Sequence, residues 1–327
     1  MSKIIVTGSA GFIGSAVVEA LNARGREDLL LVDRLDHDEK EHNVSHLKYE
    51  QLIDGNEFRS NLAQGLYDDQ DIEAIFHLAA ITSTTEKNWE LFEDVNINFS
   101  QEIIRWCVDR KVRCVYVSSG ATYGDGTNGY SDNHDLFNTL KPLNDYGKSK
   151  LDVDIWARDA GYLDDVVGIR YFNVFGPNEY HKGDMRSVIA KKFDQMQTEG
   201  TIELFKSNNP SYGDGEQKRD FVYVKDAVEA TLFFLSNKEV GGVFNIGTGT
   251  ARTWNAVAKS MFNAVGKEPN IKYVDMPDVL KGQYQDFTQA DITKLRDAGF
   301  EMPFMRLEDA ISEYVKDYLT KHVHIGE

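Results

Sequence analysis

Short apolar, β-branched segments alternate with helical patterns through the first half of this 327-residue chain, and this alternation restricts the fold more than any other feature. Five segments are typical of strands buried on both faces, at 3–7, 29–33, 74–79, 113–119 and 166–172. The patterns between them predict helices at 12–25, 89–110 and 146–161. Elements in this order form right-handed βαβ units, so we expect an α/β fold with a doubly wound parallel sheet.

The alternation ends at Gly176, where polar loops and scattered elements begin. A strand followed by a helix returns at 221–235, and 243–247 is a further predicted strand. We therefore expect a main domain over residues 1–172 with 217–250, and a smaller, interleaved C-terminal lobe over residues 173–216 with 251–327. Ligands commonly bind where two such units meet.

The composition argues against several classes of function. A net charge of −17 and an isoelectric point near 4.9 disfavour nucleic acid and anionic membranes as partners, because phosphate groups would repel the chain. The two cysteines, Cys107 and Cys114, have a spacing that indicates neither a disulfide framework nor a metal site. The N-terminal residues reach glycine too early for a signal peptide, and no apolar run approaches about 18 residues. We expect a cytoplasmic protein that needs no metal.

Three glycines follow the first predicted strand, in the segment VTGSAGFIGS. Gly8, Gly11 and Gly14 have the spacing G-x-x-G-x-x-G at a strand-to-helix turn, and Phe12 and Ile13 are expected to anchor the helix on the sheet. Glycine lets the backbone approach a pyrophosphate, whose charge the free amides of the helix N-terminus stabilise. Tight turns use glycine in any case, but between a strand and a helix this spacing predicts a dinucleotide site.

Three charged residues near the end of the second predicted strand bear on which dinucleotide is bound. Asp33 suits a ribose 2′-hydroxyl, which favours NAD. Arg34 and Lys40 could instead meet a 2′-phosphate, which favours NADP. Both cations could equally be solvated surface charges. The residues alone therefore leave NAD and NADP open.

A second group of residues suggests proton transfer. Tyr146 and Lys150, in YGKSK, are four apart and share one face of a predicted helix. A nearby ammonium would lower the pKa of the phenol, so that Tyr146 could exchange a proton with a substrate hydroxyl while a hydride moves. Ser119 lies at the end of a predicted strand and could hydrogen-bond the same oxygen. Tyr-x-x-x-Lys alone usually means helix surface, and the catalytic interpretation rests on its occurrence with the glycine turn.

These motifs together resemble a known family. The chain is similar to the nucleotide-sugar epimerase group of the extended short-chain dehydrogenases/reductases, an NAD(P)-dependent epimerase/dehydratase family with a Rossmann-type fold. Nearly the full length takes part, through TGSAGFIG, HLAA, SSGATYG, YGKSK, RYFNVFGP, KRDFVYVKD and FNIGTG. Within that group, the stretches TSTTE, HKGDM and KGQYQDFTQADI are most similar to epimerases that invert C6 of an ADP-linked heptose destined for lipopolysaccharide.

The resemblance implies how such an enzyme would work. Tightly held NADP would oxidise the C6 carbinol to a transient ketone, which turns over in the site and takes the hydride back on its other face. The oxygen then occupies two positions, so the resemblance implies two acid/base residues, Tyr146 and Lys182. Lys150 would also hold the nicotinamide ribose. Alternatively, Lys182 pairs with a substrate phosphate or is a solvated loop charge.

Further site residues are implied by the same resemblance. The cofactor would also contact Leu78, Ala79, Ala80 and Val174, with Asn96 supporting that region or serving as a structural amide. The nucleotide-sugar substrate would contact Ser119, Asn173, Asp184, Phe205, Arg219 and Tyr284. Arg219 would grip the diphosphate, unless it forms an ion pair with Asp220 or a neighbour, and Asn173 could be a satisfied strand-end amide. The resemblance also implies a homo-oligomer, specifically a pentamer.

Other functions remain open at this point. Gln283 and Asp184 stand where the heptose-specific group has arginine and serine, so another sugar or nucleotide is an alternative. A UDP- or GDP-sugar 4-epimerase or a 4,6-dehydratase would use the same cofactor turn and the same Tyr/Lys pair. Dehydratases usually have an Asp-Glu pair where this chain has Gly120 and Ala121, which disfavours elimination. A noncatalytic NADP-binding protein is disfavoured because Tyr146 and Lys150 are both present.

Overall fold

The computed structural model describes residues 2–277 and 284–327. Its strands are β1 Lys3–Thr7, β2 Leu29–Val32, β3 Gln51–Ile53, β4 Ile72–His77, β5 Arg113–Ser119, β6 Val166–Tyr171, β7 Asn173–Phe175, β8 Ile202–Phe205, β9 Lys218–Tyr223, β10 Gly242–Ile246, β11 Ala251–Thr253 and β12 Ile271–Val274. Its α-helices are α1 Phe12–Ala23, α2 Asp38–Ser45, α3 Gly55–Ala63, α4 Trp89–Leu91, α5 Phe99–Arg110, α6 Asp145–Asp159, α7 Val188–Glu199, α8 Val224–Ser236, α9 Trp254–Ala264, α10 Thr293–Asp297 and α11 Leu307–Glu313. Short 3₁₀ segments cover Gly120–Tyr123, His134–Thr139 and Tyr180–Met185, and π-helical segments cover Phe92–Asn98 and Tyr314–Leu319.

Seven strands form a central sheet in the order β10-β6-β5-β4-β1-β2-β3, and all neighbouring pairs are parallel. The strand order reverses between β1 and β4, so the loops after these two strands diverge and leave a crevice at their carboxyl ends. Both faces of the sheet are covered: Ile4 and Val6 of β1 pack on one side, and Ile5 packs on the other. The predicted α/β, doubly wound Rossmann-type fold is confirmed.

The predicted elements recur with small shifts at their ends. All five predicted strands and all three predicted helices are present, and the helix predicted over 89–110 contains the π-helical segment Phe92–Asn98. Strand β3 was not predicted, because it has three residues and only Ile53 is fully buried. A π-helical turn widens the helix by one residue locally and often lies at a functional site.

The chain leaves the central sheet at Phe172. Strand β6 ends at Tyr171, and β7 pairs with β9 in a separate three-stranded sheet that β11 completes. The continuous strand expected from Arg170 to Phe175 is therefore divided between two sheets. Strands β8 and β12 form a further parallel pair. This crossing takes the segment after β7 past the carboxyl ends of the central strands.

No helix in the described ranges combines the length and the apolar character needed to cross a membrane. Cys107 and Cys114 are buried and free.

Candidate active site

A cavity of about 990 Å³ lies at the carboxyl ends of the central strands. The glycine turn, the ends of β2, β4 and β5, the start of α6 and the loop after β7 all contribute to its wall. The wall includes fourteen of the residues expected at the site: Gly8, Gly11, Phe12, Ile13, Gly14, Asp33, Arg34, Lys40, Leu78, Ala79, Ala80, Ser119, Tyr146 and Lys182, and with them Asn173 and Val174. Tertiary structure thus brings both candidate acid/base residues to the cofactor motif.

The glycine turn is shaped by close backbone contacts. Gly8 has φ +70°, and a Cβ there would lie 2.7 Å from the amide nitrogen of Ala79. A Cβ at Gly14 would lie 2.0 Å from the Gly8 carbonyl oxygen. Helix α1 begins after Gly11 with no side-chain cap and no acidic residue in its first turn, which leaves its amides and positive end available to an anion. The turn therefore suits a pyrophosphate.

The charged group at the end of β2 is already organised. The Asp33 carboxylate accepts hydrogen bonds from the Ala10 amide at 2.9 Å and the Arg34 amide at 2.7 Å. The Lys40 ammonium lies 3.2 Å from Asp33 and 2.9 Å from Asp36. Asp33 thus ties the glycine turn to the loop that follows β2, and Lys40 is held at the edge of the cavity by two carboxylates.

Tyr146 lies in the cavity wall, but its pKa moves in the direction opposite to our expectation. Burial raises the pKa of the Tyr146 phenol, and its interaction with the Ser119 hydroxyl lowers that pKa in part. The sequence analysis expected Lys150 to lower it. Ser119 is positioned at the end of β5, where its hydroxyl also accepts from the Ala121 amide at 3.1 Å. In this structure, the direct partner of the phenol is a hydroxyl group rather than an ammonium.

Lys150 is buried behind Tyr146 rather than in the cavity wall. It is 1 % exposed, and its Nζ has no hydrogen-bond partner among the described residues. Burial lowers the pKa of Lys150 to about 7, against a smaller opposing effect of Asp154. A buried amine without a partner is costly, and the hydroxyls of a cofactor ribose would satisfy it. Together with the close-packed turn, this amine fits a bound dinucleotide.

Lys182 projects from a loop that a buried carboxylate holds in place. Glu179 is 1 % exposed and accepts hydrogen bonds from the Ser187 hydroxyl at 2.7 Å and the Tyr314 hydroxyl at 2.9 Å. Burial lowers the pKa of Lys182, while Glu179 acts in the opposite direction. The Lys182 ammonium lies 5.6 Å from the centre of the Phe12 ring, at the start of α1. A lysine in this setting can exchange protons more readily than a solvated one.

Asn96 lies behind the cavity and is fully buried. Its side-chain amide donates to the Ile81 carbonyl and to the Ser149 hydroxyl, both at 3.0 Å, and its oxygen accepts from the Ile81 amide at 2.8 Å. Ser149 in turn donates to the Tyr146 carbonyl at 2.8 Å. Asn96 therefore joins the segment after β4 to the first turn of α6, and its amide has a structural role.

Three residues expected to bind substrate form a separate cluster outside the cavity lining. The Arg219 guanidinium lies 5.0 Å from the Tyr284 ring centre and 5.7 Å from that of Trp254, and Phe205 packs edge-on against Tyr284. Arg219 does not pair with Asp220, whose carboxylate accepts from Thr248, Gly249 and Ala290 instead. Their roles as ligands stay predictions.

Two other expectations concern residues away from the cavity. Asp184 is exposed, and its carbonyl accepts from Lys191 at 3.0 Å. Gln283 and the preceding part of KGQYQDFTQADI lie outside the described residues. Asn173 is exposed in the wall, and its only described side-chain partner is Thr288 at 3.4 Å, so it is not the fully satisfied amide of the alternative interpretation.

The cavity wall also contains residues that the sequence analysis did not propose as ligands. They include Thr82, Ser83 and Thr84, together with Glu179 and His181. All five lie in or beside TSTTE and HKGDM, stretches that carried the resemblance to the heptose-specific group. The specificity of those stretches was therefore the available signal for these positions.

The chain belongs to the NAD dependent epimerase/dehydratase family, whose model matches residues 4–247. That is an enzyme family defined by a nicotinamide cofactor, and the predicted family is thereby confirmed.

Similarity to individual proteins is closer still. The chain is 47 % identical to a Nitratidesulfovibrio vulgaris protein named ADP-L-glycero-D-manno-heptose-6-epimerase, over 96 % of this chain and 97 % of that one. The Helicobacter pylori protein of the same name has the same fold, with a TM-score of 0.79 and 24 % identity over 97 % and 96 % of the two chains. A Bacillus cereus UDP-glucuronic acid 4-epimerase, solved with UDP-glucuronic acid and NAD, has a TM-score of 0.78 and 25 % identity over 98 % and 99 % of the two chains.

Proposed function

We propose that this protein is an NADP-dependent epimerase that inverts C6 of the heptose in ADP-glycero-manno-heptose and so supplies a precursor of lipopolysaccharide. The observation that carries the proposal is the presence of Tyr146 and Lys182 in the wall of one cavity together with the glycine turn. A second support is the 47 % identity over nearly the whole length to a relative that is named for this reaction.

When bound, the nicotinamide supplies a hydride acceptor and donor. Gly8 and Gly14 allow the pyrophosphate to approach the start of α1, and the buried Lys150 amine donates to the nicotinamide ribose. Arg34 and Lys40 lie at the adenosine end of the wall, where a 2′-phosphate would gain two cationic neighbours. This charge favours NADP over NAD.

The chain's own acid/base groups would work in turn on one oxygen. Tyr146, held by Ser119, takes the proton of the C6 hydroxyl as the hydride leaves, so that a ketone forms. After the ketone turns over, Lys182 donates a proton to its oxygen as the hydride returns to the opposite face. The low pKa that burial imposes on Lys182 makes this donation easier than from an exposed lysine.

Two experiments test this proposal. Incubation with one epimer of ADP-glycero-manno-heptose should give the other, and product formed in D₂O should carry no deuterium at C6, because the hydride returns directly. Deuterium at C6, or epimerisation of a UDP-sugar at C4 instead, would refute it. Chromatography of the nucleotide released on denaturation should give NADP, and an Arg34→Ala/Lys40→Ala double variant should shift the preference towards NAD.

The two-base step has its own test. Lys182→Met, supplied with a ketone-level substrate analogue, should lose reduction to one epimer only, whereas Lys206→Met should reduce to both. Lys206 is a suitable control because it pairs with Asp275 at 3.0 Å on an exposed surface. Equal loss of both products in Lys182→Met would contradict the role of this lysine.

We also infer the division of labour within the chain. Residues 1–172 with 217–250 would hold the cofactor, and residues 173–216 with 251–327 would hold the sugar nucleotide, with Arg219 and Tyr284 binding its distal end. From the resemblance we further propose a cytoplasmic homopentamer. Sedimentation equilibrium of the full chain tests the assembly, and a monomer would exclude it.

A further inference from the structure

A cluster of histidines and glutamates lies on the far side of helix α2 from the cavity. Tertiary structure brings His42 of α2 together with His324 and Glu327, which are nearly 300 residues away along the chain. One ligand atom from each lies within 4.8 Å of the other two. The His42 Nε2 and Glu327 Oε1 atoms are 2.6 Å apart, and the His324 Nδ1 and Glu327 Oε2 atoms are 3.6 Å apart.

His324 is the unusual member of the cluster. It is 1 % exposed, yet neither ring nitrogen has a hydrogen-bond partner among the described residues. Its Nε2 faces the Glu39 carboxylate at 3.3 Å, and that Oε2 atom is also unpartnered. Leaving buried polar atoms unpaired costs about 1–3 kcal/mol each, so this arrangement calls for a ligand.

We propose that His42 Nε2, His324 Nδ1 and the Glu327 carboxylate bind a divalent zinc-like ion. Two imidazoles and one carboxylate are a common zinc ligand set, and water would complete a tetrahedron. Ligand atoms around tetrahedral zinc are roughly 3.3 Å apart, which lies between the two distances present here. Glu39 would accept the remaining N–H of His324, as carboxylates behind metal-binding histidines commonly do.

The arrangement of the rings indicates what must move on binding. The His42 and His324 rings are stacked with centres 4.1 Å apart and planes 19° apart, whereas both rings must direct an in-plane lone pair at one ion. His42 is the ring that turns, because its side chain is 49 % exposed and His324 is enclosed. Burial also lowers the pKa of His324, which keeps its imidazole neutral and available to a metal near neutral pH.

A bound ion would fasten residues 322–327 to α2. The Tyr180 hydroxyl donates to the Val323 carbonyl at 3.1 Å, so the same segment supports the loop that carries Lys182. The His46 ring and the Ile325 carbonyl are 2.7 Å apart. The inferred site is thus structural, and it does not depend on the reaction proposed above.

The test uses the full chain without a histidine tag, stripped with a chelator and titrated with Zn²⁺ and with Co²⁺. One equivalent should bind, Co²⁺ should give the visible absorption of a tetrahedral site, and Zn²⁺ should raise the melting temperature. His324→Gln should abolish binding, and Glu39→Gln should weaken it roughly tenfold. His322→Gln is the matched control and should bind as wild type does.

Two results would overturn the inference: no saturable binding by the wild-type chain, or equal affinity in wild type and His324→Gln. If His324→Gln fails to fold, Glu327→Gln replaces it, because Glu327 is an exposed ligand whose amide keeps the same shape. Equal affinity in that variant would also exclude the site.

Discussion

Replacing Lys150 by methionine should make the nucleotide-free protein more stable while it abolishes turnover. The ordinary lysine pKa of 10.5 falls to about 7 in the folded chain because the amine is buried. Below both values the amine is charged in the folded and unfolded states, and a difference of roughly 3.5 pKa units corresponds to a folding cost of about 5 kcal/mol. Methionine fills a similar volume without that cost.

The sign of the pH dependence follows from proton binding. Between about pH 7 and 10.5 the unfolded chain binds more protons than the folded one, so wild-type stability rises with pH, by up to ~1.4 kcal/mol per unit. The advantage of Lys150→Met should thus be greatest at about pH 7 and nearly vanish by about pH 10. Local relaxation around the charge reduces the full cost, and we expect ~2–4 kcal/mol at neutral pH.

Urea unfolding at several pH values, after the nucleotide is removed, measures this difference directly. Lys148→Met is the matched control on the same helix: Lys148 is exposed, pairs with Asp152 at 2.6 Å, and should change stability by about 0.5 kcal/mol or less at all pH values. A destabilised Lys150→Met, or an advantage that does not change with pH, would refute the view that Lys150 is an uncompensated buried amine.

Three further changes have definite expected outcomes. Gly14→Ala should cost about 1–3 kcal/mol and lose bound nucleotide, because its Cβ would overlap the Gly8 carbonyl; retention of nucleotide after purification would contradict this. Asp154→Asn should cost about 3–5 kcal/mol in urea unfolding, since it leaves the fully buried Arg170 charge unpaired, and a loss below ~1 kcal/mol would argue against a buried ion pair. Tyr146→Phe should lower kcat by roughly 10²–10⁴-fold with unchanged nucleotide content, and near-normal turnover would exclude the phenol as acid/base.

The sequence was informative wherever function depends on local geometry. The glycine turn could be recognised because strand, glycines and helix are adjacent in the chain, and a Cβ at Gly14 would collide with the turn itself. The spacing of Tyr146 and Lys150 was enough to assign them to one face of a helix. Strand β3 was missed because three residues with one buried side chain give no periodic signal.

The electrostatics of the site could not be predicted in the same way. We expected Lys150 to lower the pKa of Tyr146, but the burial of both side chains dominates: it raises the pKa of the phenol and lowers that of the amine. Burial depends on how α6 packs on the sheet, which no short motif specifies. The partner of the phenol, Ser119, comes from a different strand.

The sequence by itself determined the class of fold, the cofactor turn and the family, because each rests on residues that are close along the chain or on patterns that repeat through it. Only the tertiary structure decided which distant groups meet. It assembled Tyr146 and Lys182 in one wall, separated Arg219 from that wall, and brought His42 to His324. Side-chain distance and burial arise from packing between elements, so they become defined only when the elements are packed together.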